Sequence, residues 1–115
     1  MKTTSSGIAV LLVAMLAVQA AVAEISCPDV LNDLSPCLAF LQGNAPQPSG
    51  ECCGGVRALY AAADTRPARQ ATCRCLKAAY LQVHAQLPAA QELPGDCGVP
   101  INYEITPDID CDKIN

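Results

Sequence analysis

From Ser26 to Gly43 the chain reads SCPDVLNDLSPCLAFLQG, and Val30, Leu34, Cys37, Leu38 and Leu41 fall on one stripe at helical spacing. Ser26 can cap this first helix, Pro28 and Asp29 suit its first turn, and Gly43 is a stop signal. Pro36 predicts a kink in the middle. After a loop, NAPQPSG, the pattern predicts a second helix from about Glu51 to Ala63, with Cys52, Val56, Leu59 and Ala63 on one face. Asp64-Thr65-Arg66-Pro67 breaks it and opens a third, capped by Thr65 with a proline tolerated in the first turn. On that helix Arg69, Cys73, Leu76, Tyr80 and Val83 lie within about 80° of one another, so the stripe begins with a cation. Leu87 to Leu93 can form a short fourth helix. Beyond it the chain has no helical period, and its prolines and glycines predict an irregular tail held by Cys97 and Cys111.

The N-terminus changes the picture. Residues Ile8 to Val22 are apolar apart from Gln19 and end in the A-x-A sequence Ala21-Val22-Ala23, a run too short for a membrane span. Residues 1–23 are therefore expected to be a cleaved secretory signal and residues 24–115 one mature domain, secreted and extracellular. Its eight cysteines then meet an oxidising space, which favours disulfides over metal binding or cytosolic redox roles. Sequence alone permits 105 pairings. Adjacent Cys52 and Cys53 diverge by about 100° on a helix, and Cys73 and Cys75 by about 200°, so the members of each pair should reach different parts of the chain.

Without Lys2 the domain carries six Lys+Arg against eleven Asp+Glu, a net charge of −5. That balance, with no basic stripe, argues against nucleic acid as a partner and against membrane disruption as a defence role. A single histidine and thiols committed to bridges leave no Cys–His nucleophile, and no G-x-S-x-G occurs. No enzyme, cofactor or metal role is expected. His84 is read as a cation near the end of the third helix, Asp108 and Asp110 as tail acids, and Arg57 and Lys77 as surface charges.

The cysteine register C-x9-C-x14-CC-x19-CxC-x21-C-x13-C, with Arg74 inside CRC, resembles the plant non-specific lipid-transfer proteins of the first, larger type, over the whole mature chain. Two further motifs agree in part. Thr65 and Arg69 match Thr-x-x-Asp-Arg, with Ala68 in place of the acid, and Tyr103 and Ile105 match Pro-Tyr-x-Ile-Ser, with Asn102 and Thr106 departing. The resemblance implies an all-α fold: a four-helix, disulfide-stapled, right-handed bundle whose irregular C-terminal tail encloses a hydrophobic tunnel. It also implies the bridges Cys27–Cys75, Cys37–Cys52, Cys53–Cys97 and Cys73–Cys111. The implied activity is non-covalent carriage of fatty acids, lysophospholipids and phospholipids by a monomer that touches membranes only transiently.

Composition makes a hollow fold reasonable, since the chain has one Phe, three Tyr and no Trp, and small apolar side chains fill space poorly. A void of roughly 300 Å³ costs about 7 kcal/mol, and four disulfides at about 3 kcal/mol each are comparable or larger. Arg69 would offer hydrogen bonds to a carboxylate or phosphate at the tunnel mouth, and by residue type alone it is equally a solvated helix arginine. Tyr103 could donate its hydroxyl to the same head group and Ile105 could line the chain. Val56, Leu59, Leu76, Tyr80 and Val83 are expected inward, against lipid or against each other. The rival reading is an inhibitor of digestive hydrolases, of the α-amylase or trypsin type, or a seed storage albumin, which share the broader cysteine skeleton.

Overall fold

The computed structural model describes residues 25–115, so the expected signal segment lies outside the described residues. Among them the chain is all helix and loop, in four helical arms followed by a tail. The first arm is broken: α1 (Cys27–Leu34) runs through a 3₁₀ turn (Ser35–Cys37) into the single turn α2 (Leu38–Leu41). Pro36 is the cause, because it has no N–H for the Asn32 carbonyl. That carbonyl accepts instead from the Ser35 N–H and from the Ser35 hydroxyl, the latter at 3.0 Å. The remaining arms are α3 (Gly50–Ala62), α4 (Arg66–Gln82) and α5 (Leu87–Asp96).

Each of three helices starts at a hydroxyl. Ser26, Ser49 and Thr65 accept from the N–H groups of Asp29, Cys52 and Ala68, satisfying donors that have no carbonyl in the first turn. The ends are closed by residues in the left-handed region. Gly43 (φ 81°), His84 (φ 54°) and Gly98 (φ 73°) reverse the chain, so that Asn44, Ala85 and Val99 donate back to the carbonyls of Ala39, Tyr80 and Pro94. The fourth arm continues past Leu93, where the apolar pattern stops, to Asp96 with Pro94 inside it. That extension brings Gly98 to the closing position.

Gly55 sets the spacing of α1 and α3. A side chain there would overlap the carbonyl oxygen of Asp33, whereas one at Gly54 would meet nothing within 4 Å. Four disulfides then tie the arms: Cys27–Cys75 joins α1 to α4, Cys37–Cys52 the 3₁₀ turn to α3, Cys53–Cys97 α3 to the end of α5, and Cys73–Cys111 α4 to the tail. The divergent directions of CC and CRC are used as geometry requires, with each member of a pair reaching a different part of the chain.

All the buried apolar residues except Ala68 and Ala79 fall in three separate clusters. One gathers Cys37, Phe40, Leu41, Cys52, Cys53, Val56, Leu93, Cys97 and Val99 where α2, α3 and α5 meet. A second is Val30, Leu59 and Cys75, with Leu76 packed against it. The third, Cys73, Cys111 and Ile114, fastens the tail. On α4 the most buried positions are Ala68, Thr72, Cys73, Cys75 and Ala79. Four of these, all but Cys73, define an edge turned about 90° from the stripe expected from the sequence. Small side chains let backbones approach closely, so the tightest contact follows size, while the larger Leu76, Tyr80 and Val83 lie half-buried along its flank.

Candidate functional site

Arg69 sits in the first turn of α4, half-buried. Its Nε donates to the Asn115 carbonyl oxygen at 2.6 Å and one terminal nitrogen donates to the Ala63 carbonyl at 3.4 Å. The guanidinium is thus held between the C-terminal end of α3 and Asn115 in the tail. Its remaining donors are enough for a planar anion, since a guanidinium carries five N–H groups. Ala68, which replaces the acid of the family motif, is buried with 6% of its surface exposed. The small alanine allows a close helix contact there.

Tyr103 comes from the tail to the same place. Burial raises its phenol above the ordinary value of 10.0, and the nearby positive charge of Arg69 acts in the opposite direction. The residue still exposes 39% of its surface, and with its phenol raised the hydroxyl is a neutral donor at neutral pH. Ile105, two residues on, is half-buried, and its carbonyl accepts from Gln91 of α5 at 2.9 Å.

The apolar candidates divide between two regions. Val56 is buried in the cluster of α2, α3 and α5. Leu59 belongs to the second cluster beside Leu76 and borders an open depression of about 300 Å³ whose walls are apolar at Ile25, Val30 and Ala62 and polar at Ser26, Asp29, Asn32 and Asp33. Tyr80 and Val83 continue along α4 towards its C-terminal end. A second, more open cavity of about 420 Å³ lies between α4 and the tail, with Arg74, Lys77, Asp108, Asp110 and Asp112 in its walls. Among the described residues no group of three or more His, Cys, Asp or Glu side chains could hold a metal ion. Nor is any described helix long and apolar enough to cross a membrane.

Sequence reasoning missed how the tail is held. Gln70 donates to the carbonyls of Asp112 and Ile114, Lys77 to that of Ile109, and Arg74 pairs with the Asp112 carboxylate. With Arg69 and Cys73, these residues make one face of α4 a row of attachments. The available signal was a stretch without helical period, whose carbonyls must find donors outside itself, lying opposite a helix rich in them. Gln42 and Gln86 do similar work at the other end, where Gln42 donates to the Val83 carbonyl and Gln86 to that of Gln42.

A family model described as protease inhibitor/seed storage/LTP family matches residues 27–111. That description spans inhibitors, storage proteins and carriers, so individual relatives are what separate them. The chain is 45% identical over 106 residues to non-specific lipid-transfer protein 5 of Lens culinaris, covering 91% of this chain and 90% of the relative. It is similar to the solved structure of barley non-specific lipid-transfer protein 1 in complex with a lysophosphatidylcholine, at 42% identity and TM-score 0.76, over 79% of this chain and 100% of that one. It is also similar to wheat non-specific transfer protein complexed with two molecules of phospholipid, at 38% identity and TM-score 0.74, over 78% and 100% of the two chains. The chain belongs to the plant non-specific lipid-transfer proteins of the first, larger type, within the protease inhibitor/seed storage/LTP family.

Proposed function

We propose that this protein is a secreted, non-catalytic carrier that binds lipids non-covalently and transfers them, holding the acyl chain in an internal apolar passage with Arg69 and Tyr103 at one mouth. The observation that carries the reading is the meeting of a half-buried guanidinium and a neutral phenol, from distant parts of the chain, where the tail closes over α4. A cation with spare donors beside a hydroxyl suits a carboxylate or phosphate. Two further features support it. The apolar interior is divided into three clusters instead of one, and Leu76, Tyr80 and Val83 keep accessible surface, as side chains lining an open passage do. The relatives in the solved complexes hold a lysophosphatidylcholine and phospholipids.

The energetics suit a carrier. Burying about 16 methylenes yields about 13 kcal/mol at ~0.8 kcal/mol each, and association costs of about 4–15 kcal/mol remove much of it. Affinity is then modest and exchange reversible, so cargo can be unloaded during brief membrane contact. Native mass spectrometry of the oxidised residues 24–115 with palmitate tests the reading. A one-to-one complex, weakened in Arg69→Ala, is expected. Absence of any complex would remove the function, and equal binding by parent and variant would remove the site.

A further inference from the structure

Arg69 can meet a head group only in the direction in which its plane is held, and the structure shows what holds it. The shortest bond it makes, 2.6 Å, runs from Nε to the carbonyl of Asn115. Asn115 is itself exposed, and its backbone is placed by the residue before it: Ile114 is buried beside Cys73 and Cys111. The Ile114 carbonyl accepts from the side-chain amide of Gln70 at 3.0 Å, and the same amide reaches the Asp112 carbonyl at 3.2 Å. Gln70 directly follows Arg69 on α4. One side chain therefore fixes the two carbonyls that lead the tail back to its neighbour's guanidinium.

We propose that Gln70 is a positioning residue for lipid recognition, which orients the Arg69 guanidinium towards Tyr103 and the head group by pinning Ile114 and Asn115. The inference rests on the carrier reading above. Its physical basis is pre-organisation: a side chain already held in its binding geometry does not lose that freedom again when the anion arrives. Arg69 is then an effective partner only while the tail is in place. Because the mechanism acts on charge recognition and not on the acyl chain, Gln70 determines how strongly an ionised head group is preferred over an uncharged one.

The test compares palmitate with methyl palmitate, which share the acyl chain and differ in charge, by displacement of a fluorescent acyl probe from the parent, Gln70→Leu and Gln70→Arg. Gln70→Leu is expected to weaken palmitate binding about five-fold, the worth of one neutral hydrogen bond. Methyl palmitate should change less than about two-fold on the same scale, and Gln70→Arg, which retains donors, should restore palmitate. In parallel, the Arg69 Nε proton, slowed in its exchange by the bond to Asn115, should exchange faster in Gln70→Leu. Equal weakening of both ligands would make Gln70 merely structural and overturn the inference, as would palmitate affinity that is unchanged or tightened. If the parent binds neither ligand, the carrier reading falls first and this inference falls with it.

Discussion

Tyr103 shows how two opposed influences on one group become a measurable signature. Removing water from around the phenol disfavours the phenolate, and this outweighs the attraction of the Arg69 charge, so the hydroxyl titrates above its ordinary 10.0. Deleting the guanidinium leaves desolvation alone. Arg69→Ala should therefore push Tyr103 to still higher pH, read as phenolate absorbance with Tyr103→Phe identifying the step; an unchanged titration would mean that the two groups are not neighbours. Stability has a matching sign. A folded value above the unfolded one means that the contribution of Tyr103 is fully present below about pH 10 and is lost as pH rises through the folded value. On the proposed carrier reading, fatty-acid affinity should fall in the same range, because the phenolate would carry the same sign of charge as the fatty-acid carboxylate. Arg69 and Tyr103 were legible because each stands in a short motif with a chemical reason for its residue type. Gln70 was not, since a glutamine on a helix carries no periodic or charge signal, and only the path of the tail gives it a role.

Helix starts were easier to read than helix ends and inward faces. Ser26 and Thr65 with a following proline mark starts through local chemistry, and both cap as expected. The end of the fourth arm depends on a reversal at Gly98, five residues beyond the last apolar position at Leu93. The close edge of α4 depends on small residues that a pattern of large apolar ones passes over. Gly54 and Gly55 form the sharpest case: adjacent in α3, they look alike in sequence and differ only in what lies opposite. Gly54→Ala should stabilise by about 0.5–1 kcal/mol through helix propensity, raising Tm by up to about 8 °C in a domain of this size. Gly55→Ala should destabilise by about 1–3 kcal/mol, since the new methyl displaces the Asp33 backbone and with it α1. Thermal melts of the oxidised variants that moved in the same direction would contradict this packing. His84 ends α4 with φ 54°, a conformation that costs a side chain about 1 kcal/mol and glycine little. His84→Gly should therefore also raise Tm, with no change in lipid affinity, as calorimetry and probe displacement would show.

Across the whole molecule, four bridges connect parts that pack in three separate places. The cysteine spacing indicated such a scaffold, but the pairing itself came with the family resemblance, because divergence on a helix excludes few of the possible combinations. The tail is where this architecture meets the proposed site. Most of its polar attachments to α4 are exposed, and the Arg74–Asp112 pair, with 56% and 77% of its side chains accessible, is worth about 0–1 kcal/mol. The Cys73–Cys111 bridge closes a separation of 38 residues and contributes about 4 kcal/mol through the unfolded chain. It therefore outweighs the salt bridge and holds Cys111 and Ile114 in their small cluster, from which the tail reaches Arg69. Replacing both cysteines by serine should lower stability by about that amount while the other three bridges preserve the helical arms, so the far-ultraviolet circular dichroism changes little at room temperature. Palmitate affinity should nevertheless drop by more than it does in Arg69→Ala, because the variant frees the tail that carries Tyr103 and Ile105 as well as loosening the guanidinium. An affinity equal to that of the parent, measured by probe displacement on the folded double variant, would mean that the tail takes no part in holding lipid.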